Sequence, residues 1–266
     1  KRSSMNLEYK NHHFLFVNGL HRSGTSILFK WIKAQKNISG FSDTGVIEDE
    51  GQHLQSVYSA ANNYGGPGKF GFRKQAYLDQ NSDLITDANK SKLFEQWSLY
   101  WDLNNSILVE KSPPNIIRTR FLQEMYPNSS FLTITRHPIA VSFATQKWSH
   151  TSLNRLIKHW IVCHEAYRSD QKFLKSQLLI KYEDFCAYPI STVNQISKWI
   201  DTEIIIPEGV EDIRNMNAKY FKMWEDYQKG FFTKFSARFI IKKYEAKLNE
   251  FGYSLISFNL APTDCK

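Results

Sequence analysis

The stretch FLFVNGLHRSGTSILFKWI, from Phe14 to Ile32, decides the fold expected for this chain. Its leading apolar residues are typical of a short buried strand, and its final residues carry apolar side chains at helical spacing. The loop between them, from Gly19 to Ser26, is rich in glycine and hydroxyl side chains. Such a joint combines unpaired N–H groups with the positive end of a helix dipole, and Arg22 adds a fixed cation. The stretch therefore predicts a binding site for an anion.

The rest of the chain alternates short apolar runs with helical patterns. Strands are predicted at Phe14–Val17, Ile107–Val109, Phe131–Thr135 and Leu178–Lys181. Helices are predicted after Ser26 and over about Ile116–Met125, Leu153–Leu174 and Ser236–Glu250. This alternation indicates a three-layer α/β fold, a parallel β-sheet flanked by helices, with all strand-to-helix loops at one edge. We expect a single domain over residues 1–266, with a core over about 14–190 and a helical C-terminal part over about 191–266.

Two of the predicted helices carry a clear apolar face. In the long helix the face consists of Leu153, Leu156, Ile157, Trp160, Ile161, His164 and Tyr167. In the C-terminal helix it consists of Phe239, Ile240, Tyr244, Leu248 and Phe251, whereas the preceding chain after Asp201 is less regular. We interpret Trp148, Trp160 and Trp224 as core or pocket wall. The glycine-rich segment Asn62–Lys74 is predicted to be a loop, either beside a pocket or a simple connector.

Composition argues against several classes of partner. With 34 basic and 26 acidic residues the formal net charge is +8, which favours anionic ligands. The basic residues are scattered and form no zinc-finger or basic-zipper pattern, so we expect no nucleic-acid partner. Cys163, Cys186 and Cys265 have neither zinc-ligand spacing nor a disulfide framework, which favours a reducing, cytoplasmic location. No apolar run reaches the roughly 20 residues of a membrane helix; the chain begins at Lys1, so a removed anchor or signal stays open.

The first loop nearly matches the P-loop of nucleotide triphosphatases. Gly19 and Gly24 have the G-x-x-x-x-G spacing, but Thr25 and Ser26 follow where a P-loop has Lys and then Ser or Thr. The basic group, Arg22, precedes the second glycine instead. These differences argue against an ATP-dependent small-molecule kinase, which stays open as an alternative function.

Four stretches, in the right order, resemble the sulfotransferases that use 3′-phosphoadenosine 5′-phosphosulfate (PAPS). RSGTS, at residues 22–26, resembles their 5′-phosphosulfate loop in the arginine form of the protein-tyrosine and many bacterial members. The resemblance implies a P-loop-like sulfotransferase fold, PAPS as the donor, 3′-phosphoadenosine 5′-phosphate (PAP) as the product and no metal. It also implies that the donor is bound by Arg22, Ser23, Gly24, Thr25 and Ser26.

The second stretch is LVEKSPPN, Leu108–Asn115, which resembles the EKSP segment of the carbohydrate-type sulfotransferases. The resemblance implies that Lys111 approaches the sulfuryl group. The cytosolic branch of the family has a histidine base two residues after this lysine. Because Pro113 occupies that position here, the base must lie elsewhere.

The third and fourth stretches, LTITRHPIAVSFATQKW (132–148) and LLIKYEDFCAYP (178–189), resemble the nucleotide-binding segments. The resemblance implies that Arg136 binds the 3′-phosphate and that Tyr182 lies near the adenine. The family's phosphate-binding serine, eight residues after the arginine, is Ala144 here, so Ser142 and Thr145 are the candidate hydroxyls. We expect Glu183 and Asp184 to cap or brace the next helix.

The candidate base lies in TGVIEDEGQHLQ, Thr44–Gln55, where Glu48, Asp49, Glu50 and His53 are close in sequence. In the carbohydrate-type relatives a glutamate after the first helix is the base, which implies Glu50. Neighbouring carboxylates also raise one another's pKa toward a useful value. His53 is the second candidate and Glu48 a third, and a solvated acidic face is the non-catalytic interpretation. The catalytic set is thus Glu50, Arg22, Lys111 and His53.

The resemblance implies in-line transfer of a sulfuryl group to a hydroxyl or amine, with a carboxylate as the base. The acceptor stays open between a small molecule, a carbohydrate and a tyrosine side chain. A non-catalytic nucleotide-binding module is a further alternative. The sequence leaves the oligomeric state open.

Overall fold

A five-stranded parallel β-sheet lies at the centre of the computed structural model, which describes residues 8–208 and 215–258. The strands are β1 (His13–Gly19), β2 (Ile38–Gly40), β3 (Ile107–Lys111), β4 (Ser129–Thr135) and β5 (Gln177–Lys181), in the spatial order β2-β3-β1-β4-β5. Every neighbouring pair is parallel. All residues of β3 and β4 are buried, as expected for central strands covered by helices on both faces.

Nine α-helices occur in the described residues. They are α1 (Thr25–Lys33), α2 (Asp87–Ser98), α3 (Thr119–Met125), α4 (Pro138–Ser149), α5 (Leu153–Gln171), α6 (Tyr182–Ala187), α7 (Pro189–Ile200), α8 (Asn217–Lys229) and α9 (Lys234–Asn249). Side chains of α1, α2, α3 and α7 form one hydrophobic cluster with the strands, and those of α4, α5, α8 and α9 form a second. The three-layer α/β fold expected from the sequence is confirmed.

The predicted strands are all present, but some details of the expected structure are wrong. The three-residue strand β2 was not predicted, and α8 lies where the chain was interpreted as irregular. The helix expected from Ile116 begins only at Thr119, after a 3₁₀ turn at Pro113–Ile117. Phe239 was assigned to an apolar inner face and is 53% exposed. Trp148, interpreted as core or pocket wall, is 61% exposed and therefore lies outside the core. Both aromatic side chains lie on the surface.

The strand register brings the candidate site residues to one edge of the sheet. Val17 pairs with Lys111 and Gly19 with Ile134, so the loop after β1 lies between the ends of β3 and β4. Thr135 pairs with Lys181, which makes Arg136 and Tyr182 the first residues beyond paired positions. The chain moves to opposite sides of β1 in forming β3 and β4. Ligands of open α/β sheets bind at such a switch point.

Candidate active site

The loop after β1 turns tightly and leaves several donors unpaired. Ser23 N–H donates to Leu20 O at 3.0 Å, and Gly24 has a φ of +100°, which residues with a Cβ rarely adopt. The first helical hydrogen bond of α1 runs from Leu28 N–H to Gly24 O, so the N–H groups of residues 25–27 have no partner within the helix. The buried Ser23 hydroxyl also lacks a hydrogen-bond partner. These donors, together with the positive end of the helix dipole, form a site suited to an anion.

Arg22 extends from the same loop toward solvent. Its backbone has a φ of +70°, and its guanidinium lies 5.1 Å from the ring centroid of the exposed Trp148. Its carbonyl oxygen accepts a hydrogen bond from Arg136 Nη1 at 2.9 Å. The structure therefore brings together the two arginines that sequence analysis assigned to opposite ends of one nucleotide.

Arg136, directly after β4, is buried and incompletely paired. Besides the contact to the Arg22 carbonyl, its Nε donates to Asn217 Oδ1 at 2.8 Å, and its guanidinium lies 4.1 Å from the Tyr182 ring centroid. Its Nη2 is buried and has no hydrogen-bond partner. An unpaired buried donor of a charged group is costly, so this geometry favours an anionic ligand at Nη2.

Tyr182 packs against both the loop after β1 and the guanidinium of Arg136. A Cβ on Gly24 would lie 2.7 Å from the Tyr182 ring, so only glycine allows the loop to approach this closely. Glu183, next in sequence, accepts from His137 N–H at 3.0 Å and from Asn217 Nδ2 at 2.7 Å. It therefore ties β4's end to α8 and holds Arg136's partner Asn217 in place.

Lys111, Glu50, Glu48 and His53 meet at the end of β3. Lys111 Nζ donates to Glu48 O at 2.7 Å and lies 3.5 Å from Glu50 Oε1, and both side chains are almost fully buried. His53 Nε2 lies 3.9 Å from Glu50 Oε2. Glu48 instead accepts from the Ser26 hydroxyl at 2.8 Å. The acidic turn thus connects the anion loop to Lys111, with Glu50 buried and Glu48 exposed.

The two candidate bases have pKa values displaced in opposite directions. Burial raises the pKa of Glu50, and the nearby Lys111 ammonium and the Gln52 amide oppose this shift. Burial lowers the pKa of His53, and Lys111 lowers it further. Glu50 therefore holds a proton more tightly, and His53 less tightly, than the same groups do in water. Either group, when deprotonated, can accept a proton.

Glu110 supports the turn that carries Glu50. This fully buried carboxylate accepts from the Ser112 hydroxyl and, at 2.6 Å, from Asn115 Nδ2. Ser112 Oγ in turn accepts from Gln52 N–H at 3.0 Å, and the Gln52 amide donates to Glu50. Sequence analysis quoted Glu110 within its EKSP match but gave it no role. No signal in one sequence shows that a strand-end glutamate is buried.

Replacing Glu110 by glutamine is expected to change how stability depends on pH. Burial raises the pKa of Glu110 from 4.5 to about 7, so the folded state binds this proton more tightly than the unfolded state does. The associated stabilisation is full below pH 4.5 and is lost as the pH rises through 7. Relative to Glu110→Gln, the wild type should therefore lose up to about 3 kcal/mol of unfolding free energy across this window. Urea unfolding at several pH values measures the difference.

The matched control is Glu165→Gln, which removes a surface carboxylate paired with Lys247 at 2.7 Å. This control should show the wild-type pH dependence. Parallel profiles for wild type and Glu110→Gln would show that Glu110 titrates normally and that its assigned environment is wrong.

The two hydroxyls considered for the 3′-phosphate lie beside residues 20 and 21 of the loop after β1. Ser142 and Thr145 line a cavity of about 10 Å³ together with Leu20, His21, Gly68, Val141, Leu156 and His159. None of the side chains that contact Arg136 lines this cavity. The Ser142 hydroxyl is buried without a hydrogen-bond partner. Its assignment, or that of Thr145, to the 3′-phosphate stays a prediction.

A larger open cavity of about 410 Å³ adjoins His53, one of the candidate bases. Most of its lining side chains are polar, and the lining consists of Gln52, His53, Gln55, Ser56, Val57, Tyr58, Ser59, Ala60 and Asn63. Asn63 belongs to the glycine-rich segment, so one end of that segment borders the cavity. Two later residues of the segment pack inward, since Gly71 N–H donates to His159 Nε2 at 3.1 Å and Phe70 is fully buried.

Within residues 8–208 and 215–258, no three His, Cys, Asp or Glu side chains are placed to hold a metal ion. In the same part of the chain, no helix is long and apolar enough to cross a membrane.

Asn217 is the other site residue that sequence analysis missed. It follows Arg136 by 81 residues, in a segment whose helix was not predicted.

Comparison with known proteins gives one family match and several structural matches. A family model described as the sulfotransferase family matches residues 15–205, well over half of the chain. A sulfotransferase of Mycobacterium avium is 11% identical, with 92% of this chain and 79% of that chain covered and a TM-score of 0.54. A sulfotransferase of Mycobacterium tuberculosis H37Rv is 14% identical, with 76% and 70% covered and a TM-score of 0.52. At these identities the structural likeness concerns the fold alone. No relative was found among curated proteins.

Proposed function

Because the chain belongs to the sulfotransferase family, we propose that it moves a sulfuryl group from PAPS to a hydroxyl or amine of an acceptor, with Glu50 as the base. The proposal rests mainly on the environment of Arg136. Its guanidinium contacts the Arg22 carbonyl and the Tyr182 ring while its Nη2 has no partner. A ligand with two phosphate groups joined by a nucleoside fits such a pair of linked anion sites.

The residues present suit PAPS at both of its ends. The N–H groups of residues 25–27, the Ser23 hydroxyl and the Arg22 side chain are the proposed ligands of the 5′-phosphosulfate. Arg136 Nη2 is the proposed ligand of the 3′-phosphate, and Tyr182 is proposed to pack against the adenine. When bound, the donor supplies the sulfuryl group and leaves as PAP.

Lys111 and Glu50 are proposed to act on the reacting atoms. Charge develops on the leaving phosphate during transfer, and a buried ammonium stabilises it without a change of solvation. Glu50, 3.5 Å from that ammonium, would take the proton of the acceptor. In-line transfer needs both groups fixed, and the hydrogen bonds of Glu110, Ser112 and Gln52 provide that rigidity.

The polar cavity beside His53 is the proposed acceptor site. Its volume of about 410 Å³ lies in the range of pockets that hold small molecules or a single sugar or side chain. Amide and hydroxyl side chains predominate in its lining, which favours an acceptor rich in hydrogen-bonding groups over an apolar one. Carbohydrate, tyrosine and small polar acceptors all meet this condition.

Binding of PAP is expected to distinguish this proposal from an ATP-dependent kinase. At about 100 times its Kd a ligand adds ~2.7 kcal/mol of stability, which raises the Tm of a chain of this size by about 5–11 °C. PAP should give such a shift, and ATP with Mg²⁺ should give a much smaller one. Arg136→Ala should weaken PAP roughly ten- to a hundredfold, the scale of lost charge-assisted hydrogen bonds. It should leave adenosine 5′-phosphosulfate, which lacks the 3′-phosphate, nearly unchanged.

Arg168→Ala is the matched control, because it removes an arginine that pairs with Glu250 at 2.9 Å outside the site. It should bind both nucleotides as the wild type does. Equal losses of PAP and adenosine 5′-phosphosulfate in Arg136→Ala would rule out the 3′-phosphate assignment. A larger shift with ATP and Mg²⁺ than with PAP would favour the kinase.

A further inference from the structure

Four exposed phenylalanines are grouped around the start of α9. Phe231, Phe232, Phe235 and Phe239, here called the aromatic patch, are 74%, 89%, 65% and 53% exposed. Soluble proteins rarely expose large apolar side chains in groups. The chain has 19 phenylalanines, and the one other large exposed phenylalanine among the described residues is Phe173, which stands alone. The aromatic patch therefore holds four of the five exposed phenylalanines of the described residues.

The fold does not require this exposure. The opposite face of α9 already packs into the second hydrophobic cluster through Ala237, Ile240, Tyr244 and Leu248, all of which are buried. Phe235 and Phe239 lie four residues apart, so they occupy one outward stripe of the helix. Phe231 and Phe232 precede the helix and stack edge-to-face, with 5.0 Å between their centroids. Polar residues at these four positions would leave the core unchanged.

The aromatic patch is surrounded by cations. Residues 227–244 contain no Asp or Glu and include Lys229, Lys234, Arg238, Lys242 and Lys243. Lys234 Nζ lies 5.4 Å from the Phe231 ring centroid and 5.2 Å from that of Phe235. Lys243 Nζ lies 5.2 Å from the Phe239 centroid. The two carboxylates nearest to this segment in sequence have other partners. Asp226 pairs with Lys222 at 2.6 Å, and Glu245 accepts from Ser254 and from the Leu255 N–H.

We infer that this surface binds an anionic lipid bilayer, with the aromatic patch inserted at the headgroup boundary and the lysines and Arg238 on the lipid phosphates. A helix with exposed aromatic residues beside Lys and Arg is typical of proteins that lie in the membrane interface. Basic residues at an anionic leaflet add attraction that falls off within a Debye length. A protein partner is disfavoured, since protein–protein interfaces are depleted in lysine.

Sedimentation of the full chain with vesicles tests the inference. Phosphatidylcholine vesicles that contain phosphatidylserine should bind the wild type at least about tenfold more tightly than pure phosphatidylcholine vesicles, and high salt should reduce that advantage. Phe232→Ser/Phe235→Ser should weaken binding to the anionic vesicles by about tenfold or more, because each buried phenylalanine contributes strongly to partitioning. Lys242→Gln/Lys243→Gln should weaken binding to the anionic vesicles only.

Phe173→Ser is the matched control for the Phe232→Ser/Phe235→Ser variant. Phe173 is also exposed and also contacts cations, with the Arg120 guanidinium 4.1 Å and Lys172 Nζ 5.0 Å from its centroid, but it lies outside the aromatic patch. It should bind vesicles as the wild type does. A Phe232→Trp variant should show fluorescence quenching by brominated lipids, which reports insertion directly.

Three results would overturn the inference. The first is equal binding of the wild type to neutral and anionic vesicles. The second is equal vesicle binding by Phe232→Ser/Phe235→Ser, Phe173→Ser and wild type. The third is concentration-dependent self-association that Phe232→Ser/Phe235→Ser abolishes without any vesicle binding, which would assign the surface to a second copy of the chain.

Discussion

Glu50→Gln is expected to lower kcat by about a hundredfold or more, the usual scale for loss of a general base. Glutamine preserves the shape of the side chain and an oxygen that can face Lys111 Nζ, 3.5 Å from Glu50 Oε1 in the wild type. It removes the ability to accept a proton. The affinity for PAP should therefore stay close to that of the wild type, so that kcat falls without a matching loss of donor binding.

The pH dependence of the wild type gives a second measurement on the same residue. A base must be deprotonated, so kcat/KM should fall as the pH drops through the pKa of Glu50, which burial raises above 4.5. Glu50→Gln should lose this acidic limb. Glu165→Gln is the matched control, because it removes a surface carboxylate that pairs with Lys247 outside the site, and it should keep the acidic limb. If Glu50→Gln keeps near-normal turnover and His53→Ala abolishes it, the base is His53.

Sequence patterning predicted those elements whose side chains are buried periodically. β1, β4 and the inner face of α5 are almost entirely buried, and each contains several apolar residues close together, so their pattern is strong. β2 has three residues and one of them is Gly40, so its pairing with β3, not its composition, makes it a strand. In α8 only Asn217 and Trp224 are buried, which leaves no apolar stripe to detect. The inward-facing assignment of Phe239 failed because helical spacing alone does not say which side a partner occupies.

The residues of the candidate site also fall into two groups, those that the sequence predicted and those that it did not. Residues at strand ends, such as Lys111 and Arg136, follow from the rule that parallel strands share a carboxyl edge, and the structure brings them to that edge. Residues that act through long-range packing do not follow from spacing. Asn217 reaches Arg136 across 81 positions, and the connection from Glu110 to Glu50 runs through a serine hydroxyl and a glutamine amide. Such contacts depend on tertiary placement, which local sequence does not encode.

Lys111→Met is expected to lower kcat by about a hundred- to a thousandfold, the scale for loss of a group that stabilises charge in the transition state. Methionine approximates the length of the lysine side chain but has no charge. The substitution should also move the acidic limb of the pH profile to higher pH. Lys111 opposes the rise in the pKa of Glu50, and without it the buried carboxyl holds its proton more tightly.

The combined effect separates an electrostatic role of Lys111 from a structural one. Lys33→Met is the matched control, since Lys33 Nζ also donates to a backbone carbonyl, that of Phe41 at 2.7 Å, but lies outside the site. This variant should lose stability without a shift of the acidic limb. Lys111→Arg should restore the position of the limb through its charge, and only part of kcat, because the guanidinium has a different shape. If Lys111→Met lowers kcat but leaves the acidic limb of the pH profile where it is in the wild type, Lys111 does not affect the pKa of the base. The assignment of Glu50, the neighbour of Lys111, as that base would then be wrong.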